Sequence, residues 1–228
     1  MRLEGRTVSM QRRLKVRSSE ITSTEEEEPT MRDAARAERR AEIERAAYAL
    51  LEENGYAGMS MLGVAKRARA SNETLYRWYG NKRGLIKAMV ARNAAEVRSL
   101  LERDLAAGRP PLETLRALGP RLLGLLVGER AIALNRAAAA DPSGELGQAL
   151  TEAGRNTILP LIAQVFASGQ GQFPDLTPET AAKLYVSLLV GDLQIRRAIG
   201  ALEEPGEMEI EERAAWALAI LLRVGGIG

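Results

Sequence analysis

From Met31 onward, apolar side chains recur at the three- and four-residue spacing of amphipathic helices, and strand-like alternation never persists. The first long helix is predicted from about Asp33 to Asn54, where the Asn54-Gly55 pair stops it. Two short helices follow, one capped by Ser60 and ending near Ala68, and one capped by Ser71 and ending at Gly80. The pattern therefore predicts an all-α fold.

The rest of the chain is also helical in pattern. A fourth helix, capped by Asn81, is predicted to continue to about Ala107, and the sequence "GRPP" then breaks the chain. Further helices are predicted over residues 112–127, 129–140, 144–168, 177–200 and 207–223. The Thr177-Pro178-Glu179 start is typical of a helix N-terminus, and Pro160 is expected to kink the 144–168 helix.

The stretch "SNETLYRWYGNKRGL", residues 71–85, mixes aromatic and basic side chains in a chain that is only 4% aromatic. The two short helices around it, preceded by a longer one, have the spacing of a helix-turn-helix, whose second helix enters the DNA major groove. The residues predicted to read bases are Asn72, Glu73, Tyr76 and Arg77. Those predicted to contact phosphate are Ser60, Arg69, Ser71, Thr74, Trp78 and Lys82.

Charge and composition favour the same interpretation. Residues 31–90 hold 12 Lys and Arg against 7 Asp and Glu, whereas residues 91–228 hold 14 against 17. A basic N-terminal unit favours a polyanionic partner. The chain has neither His nor Cys, which removes most nucleophilic and zinc chemistry and argues against an enzyme.

No functional site is predicted in the N-terminal tail or in the acidic runs of the chain. Residues 1–30 are predicted to be a flexible tail, and neither a secretory signal nor a membrane span is recognisable, so a cytoplasmic protein is expected. The acidic runs at residues 25–28 and 203–212 lack the ligand spacing of a calcium loop. No metal, cofactor or catalytic residue is predicted.

Residues 46–90 resemble the DNA-binding domain of TetR-family transcriptional regulators. The matching pieces are the "GY" turn, "VAKRA", "SNETLY" followed by two aromatic residues, and "NKRGL". The resemblance implies a helix-turn-helix domain at 31–90, joined by a long helix to a helical effector-binding and dimerisation domain at 91–228. It also implies a homodimer that represses transcription at a near-palindromic DNA operator and is released by a small-molecule effector.

One position departs from the family pattern. The turn between the two short helices usually carries Gly in this family, and here it carries Arg69. A left-handed Arg would be strained by about 1 kcal/mol. Three explanations are open: Arg69 compensates by reaching a phosphate, the turn differs in shape, or Arg69 is a tolerated turn residue that points to water.

Two sets of C-terminal residues are candidates for the implied functions. The effector pocket is predicted to use Arg155, Asn156, Gln164, Tyr185 and Asp192. The dimer interface is predicted to use Leu184, Leu188, Gly191 and Ile195 from one helix and Ala214, Ala217, Leu218 and Leu221 from the last helix. Burial of these apolar stripes within one subunit is the alternative.

Two rival functions remain open from the sequence. The first is a DNA-binding regulator without a small-molecule effector, controlled by a protein partner or by its abundance. The second, which would leave residues 60–90 unexplained, is an enzyme that uses carboxylates on a helical scaffold. An apolar cavity in the C-terminal region would favour the effector-responsive regulator, and a fully packed core would favour the first rival.

Overall fold

The computed structural model describes residues 31–169 and 173–226, and the predicted tail 1–30 lies outside the described residues. Within these ranges the chain is all-α, as predicted, with twelve α-helices and no strand. A π-helical segment at Thr151–Arg155, hereafter the π segment, joins the eighth helix to the ninth. The helices are α1 Met31–Gly58, α2 Met61–Arg67, α3 Asn72–Tyr79, α4 Lys82–Asn93, α5 Ala95–Ala106, α6 Pro111–Val127, α7 Glu129–Ala139, α8 Glu145–Leu150, α9 Asn156–Ser168, α10 Pro178–Val190, α11 Leu193–Ala198 and α12 Glu207–Val224.

The predicted helix starts are confirmed by their capping bonds. The Ser60 hydroxyl accepts from the Gly63 amide at 3.0 Å, and Ser71 accepts from the Thr74 amide at 3.1 Å. Asn81 caps α4 through its side-chain oxygen, and Thr177 caps α10. Each cap satisfies an amide that the first helical turn would otherwise leave without a partner. The caps thereby fix where α2, α3, α4 and α10 begin.

Three predicted long helices are interrupted. The 82–107 helix is divided at Ala94 into α4 and α5. The 144–168 helix contains the π segment, which ends five residues before Pro160. The 177–200 helix ends at Gly191, whose φ of 51° and ψ of −127° are not helical, so α10 and α11 are separate.

Two hydrophobic cores hold the fold together. The larger core joins α5, α6, α9, α10 and α12. The smaller core is formed by α1 to α4, and it also takes in Leu134 from α7 and Leu146 from α8. The N-terminal helices therefore share their core with two helices of the C-terminal region, so the packing of the two regions is continuous.

None of the helices in the described ranges combines the length and the apolar character needed to cross a bilayer.

Candidate nucleic-acid interface and effector cavity

The short helix α3 presents a polar face and hides an apolar one. Leu75 is completely buried in the smaller core, whereas Asn72, Glu73, Tyr76 and Arg77 are exposed. Tyr76 leaves half of its surface open. The four residues predicted to read bases are thus all available on one accessible helix.

The turn between α2 and α3 holds Arg69 in the left-handed conformation, with φ of 51°. The Arg69 carbonyl accepts a hydrogen bond of 2.5 Å from the Arg39 guanidinium on α1. This bond uses the backbone of Arg69 and leaves its exposed side chain available. The strain expected from the sequence is therefore present, and the turn is held against α1.

Trp78 lies between α3 and α1. Its half-buried ring meets Tyr79 edge-on, and the guanidinium groups of Arg36 and Arg40 lie 5.8 and 5.7 Å from its centre. The ring is therefore a platform for two α1 arginines rather than a freely exposed surface. These arginines extend the basic surface next to α3, which the sequence reasoning did not identify.

Lys82, at the N-terminus of α4, contacts the last turn of α1, which follows the non-helical Gly55 with φ of 64° and ψ of −179°. Its ammonium donates to the Tyr56 carbonyl at 2.9 Å and lies 3.9 Å from the centre of the Tyr56 ring. The Tyr56 hydroxyl in turn donates to Glu145 of α8 at 3.2 Å, and burial raises the Tyr56 pKa to about 12. One chain of contacts thus connects α4, α1 and α8.

A buried polar group joins α1 to the end of α4. Glu44 is buried and pairs with the Arg92 guanidinium at 2.9 Å, and burial raises its pKa although Arg92 opposes the shift. Asn93 donates to the Tyr48 hydroxyl at 2.8 Å, and burial raises the Tyr48 pKa to about 12. The sequence reasoning missed this group. The sequence does contain a signal for this polar group, because Arg40, Glu44 and Tyr48 are spaced four residues apart and so lie along one face of α1.

A cavity of about 480 Å³ opens inside the C-terminal region. Its walls come from α4, α6, α7, α8, the π segment, α9 and α10, together with Gln194 of α11. Most lining side chains are aliphatic, and Arg155 is the charged one. The size and the mostly apolar lining with a few polar groups are typical of small-molecule sites.

The predicted pocket residues divide among three places. Arg155 lines the cavity, and it also borders an adjoining open groove of about 500 Å³ that contains Asn156 and Gln164. Tyr185 is completely buried in the larger core, where its hydroxyl donates to the Leu115 carbonyl at 2.8 Å. Asp192 is exposed after the break at Gly191 and lies 4.0 Å from Arg196. The pocket assignments of Tyr185 and Asp192 are therefore corrected.

The π segment touches both the cavity and α4. Glu152 forms ion pairs with Arg83, at 2.5 Å, and with Lys87. Both donors hold the pKa of Glu152 below its usual range, with the Lys87 hydrogen bond as the largest cause. Gly154, two residues on, has no side chain, and an added Cβ would lie 3.3 Å from a Val90 methyl group. The π segment therefore forms part of the cavity wall and also pairs with α4.

The predicted dimer residues also need revision. Ala214, Ala217, Leu218 and Leu221 are buried in the larger core of the same subunit, because this face of α12 packs against α6 and α10. Their assignment to a dimer interface is corrected. Leu184 and Leu188 are half-buried, Gly191 is exposed at the end of α10, and Ile195 leaves 59% of its surface open.

The exposed apolar surface lies on the opposite side of α12. Trp216 is 46% exposed, and the Arg213 guanidinium covers one ring face at 4.4 Å. Arg213 also donates to the carbonyls of Leu188 and Leu189 at the end of α10. The outward side of α12, which carries Trp216 and Met208, is hereafter the apolar face. Of the eight large apolar side chains exposed in the described ranges, five lie on or next to α11 and α12. They are Ile195, Ile199, Met208, Trp216 and Val224.

Across the described residues, no group of three or more acidic side chains is placed to hold a metal ion. This finding concerns ligand geometry in residues 31–169 and 173–226.

Comparison with known proteins agrees with this geometry. The family model of the bacterial regulatory proteins of the tetR family matches residues 43–89. A second model, the C-terminal domain of AefR-like transcriptional repressors, matches residues 113–225. No curated protein matches the sequence.

Solved structures cover most of the chain. A TetR transcriptional regulator from Agrobacterium tumefaciens is 27% identical, with a TM-score of 0.62 over 82% of this chain and 93% of its own. The flavonoid-responsive regulator FrrA is 24% identical, with a TM-score of 0.59 over 82% and 96%. Thermus thermophilus FadR in complex with lauroyl-CoA is 23% identical, with a TM-score of 0.54 over 81% and 94%. The helix-turn-helix, the C-terminal helices and these matches together show that the chain belongs to the TetR family of transcriptional regulators.

Proposed function

We propose that this regulator is a homodimeric repressor that binds a near-palindromic operator through α3 and leaves it when a small apolar effector fills the cavity. The observation that carries the proposal is the double role of α4. Val90, Asn93 and Ala94 at its end line the cavity, while Lys82 at its start adjoins α3. An occupant of the cavity therefore presses on the helix that positions the DNA-reading surface.

The DNA contacts keep the division made from the sequence. Asn72, Glu73, Tyr76 and Arg77 are assigned to base edges, because they form the open side of α3. Phosphate contacts are assigned to Ser60, Arg69, Ser71, Thr74, Trp78 and Lys82. For Trp78, only the indole edge is proposed to reach the backbone, because Arg36 and Arg40 lie over its ring.

Coupling between effector and DNA is assigned to the π segment. Thr151, Gly154 and Arg155 line the cavity, while Glu152 pairs with Arg83 and Lys87 of α4. A ligand shifts a conformational equilibrium only through different affinities for the two states. An occupant that displaces the π segment pulls on α4 through Glu152, and in a dimer this changes the separation of the two α3 helices.

The dimer is proposed to form through the apolar face. Trp216 and Met208 are the exposed apolar side chains that α12 brings to it, and the exposed Ile195 of α11 is proposed to extend it. A two-fold interface places the same surface of both subunits together, and exposed apolar patches of this kind mark such contacts. Leu184 and Leu188 of α10, which are half-buried in one subunit, are proposed to complete the interface.

The test begins with DNA fragments selected from the source genome by the purified protein. Binding of a selected duplex is then measured by fluorescence anisotropy against a panel of apolar and aromatic compounds. The proposal expects at least one compound both to raise the melting temperature and to weaken operator binding. Operator binding that no compound alters would favour a regulator without a small-molecule effector. A protein that selects no sequence would contradict the DNA-binding proposal itself.

A further inference from the structure

Three side-chain amides line the effector cavity, and the nitrogen of each donates one hydrogen bond to the protein. The Asn135 nitrogen donates to the Ala131 carbonyl at 2.8 Å, and the Gln194 nitrogen donates to the Leu126 carbonyl at 2.9 Å. The Asn93 nitrogen donates to the Tyr48 hydroxyl at 2.8 Å. A backbone carbonyl can only accept a hydrogen bond, so the orientations of the Asn135 and Gln194 amides follow from their partners.

The oxygens of these amides are therefore left for an occupant. None of the three accepts a hydrogen bond from another described residue, and none is among the sealed polar atoms without a partner. The oxygens of Asn93, Asn135 and Gln194 consequently border accessible space, and the cavity is the space that these side chains line. An amide oxygen accepts hydrogen bonds and donates none. The wall thus offers three acceptor oxygens to whatever molecule it encloses, beside the second N–H of each amide.

The remaining wall defines the rest of the occupant. The aliphatic residues of α6, α9 and α10 favour an apolar skeleton. Arg155, which has no ion pair in the described part of the chain, is exposed at the border between the cavity and the neighbouring groove. An anionic group is therefore accommodated only at this border, and not among the amide oxygens.

We infer that the effector is an apolar molecule carrying hydroxyl groups, phenolic or alcoholic, that donate to the oxygens of Asn135 and Gln194. This inference rests on the proposed effector site and specifies its ligand class. A fatty acyl chain has no donor, so it would strip water from the three oxygens without replacing the lost hydrogen bonds. A site built to bind a hydroxyl discriminates strongly against an analogue that lacks it.

Matched pairs of compounds test the ligand class directly. The probes are 4,4′-dihydroxybiphenyl, 4,4′-dihydroxystilbene and 5,7,4′-trihydroxyflavone, each beside its full methyl ether, with decanoate as the acyl probe. Calorimetry with the full-length protein is expected to show the best hydroxylated probe binding at least about tenfold tighter than its ether and than decanoate. Ethers or decanoate that bind equally well or better would overturn the inference while leaving an effector site in place.

Variants then test the two proposed acceptors. Asn135→Leu and Gln194→Leu should bring the affinity ratio of phenol to ether close to one, because only the phenol loses a partner. Affinity for the ether reports that the variant cavity is still folded. Gln148→Leu, which changes an exposed amide of α8 that lines neither the cavity nor the groove, is the matched control and should keep the ratio.

The outcomes separate the two proposals. An unchanged ratio in both leucine variants would refute the roles of Asn135 and Gln194. If no probe binds the wild-type protein, the inference that the effector carries hydroxyl groups is refuted. The separate operator-release assay then decides whether the proposal of a small-molecule effector is refuted as well.

Discussion

The ammonium group of Lys82 donates a 2.9 Å hydrogen bond to the carbonyl of Tyr56 and lies 3.9 Å from the centre of that residue's ring. A lysine ammonium has three donors, so this contact leaves two for another acceptor. Lys82 also stands at the first position of α4, where free backbone amides favour an anion. The contact therefore leaves the charge and two donors of Lys82 free at the start of α4, where we propose that a DNA phosphate binds.

Lys82→Ala is expected to weaken binding to operator and scrambled duplexes by a similar factor. Loss of one phosphate contact should reduce the slope of log affinity against log salt by about 0.9 per subunit. Anisotropy titrations at several salt concentrations measure both effects. A loss confined to the operator would contradict the assignment to phosphate.

Asn72→Ala should have the complementary effect. Asn recognises adenine through two hydrogen bonds, so its loss should cost about 1–3 kcal/mol on the operator and far less on a scrambled duplex. The variant's preference for one particular base should weaken at one base pair of each operator half-site. Equal weakening of both duplexes would remove Asn72 from base reading.

Arg69 allows a matched comparison of backbone strain and side-chain contact. Arg69→Ala keeps the left-handed conformation, whereas Arg69→Gly relieves it, so the Gly variant should be about 1 kcal/mol more stable than the Ala variant. Both variants should lose the same DNA affinity if the guanidinium reaches a phosphate. Thermal unfolding and salt titrations measure these quantities separately. DNA affinity equal to that of the wild type would mean that the side chain points to water.

Glu152→Gln tests the coupling assigned to the π segment. The variant should bind operator nearly as well as the wild type in the absence of effector. The effector-induced loss of operator affinity, however, should be at least about threefold smaller, because the link from cavity to Arg83 and Lys87 is weakened. Glu96→Gln, which removes the exposed Glu96–Arg121 pair away from the π segment, is the control. Undiminished release in Glu152→Gln would exclude this link.

Trp216→Glu tests the apolar face. A charge within the proposed interface should give monomers in sedimentation analysis while the helical circular dichroism signal is retained. Leu62→Glu changes a similarly exposed apolar residue on α2 and should remain dimeric. A Trp216→Glu protein that stays dimeric at the same concentration would place the interface elsewhere.

The helix-turn-helix could be predicted from the sequence because its signals are local. Ser60, Ser71 and Asn81 each cap a helix through an amide three residues away, so nearby sequence is enough to locate them. The breaks at Ala94 and in the π segment carry no comparable cap. They depend on packing around the cavity, which sequence periodicity does not describe.

The C-terminal assignments were less accurate for a related reason. Helices α10 and α12 are apolar on more than one side, so periodicity cannot say which side meets the subunit's own core. Ala217 and Leu221 face inward, while Trp216 faces outward. In the same way, the tyrosine assigned to the pocket, Tyr185, is satisfied by the Leu115 carbonyl, a contact between residues 70 positions apart.

Every role proposed for this protein depends on sequence-specific DNA binding, which a single comparison of two affinities decides. Wild-type affinity is compared between a duplex selected from the source genome and a scrambled duplex of the same composition at physiological salt. We expect the selected duplex to be a near-palindrome that is bound at least about 10³-fold more tightly. Equal affinity for the two duplexes would contradict sequence-specific DNA binding.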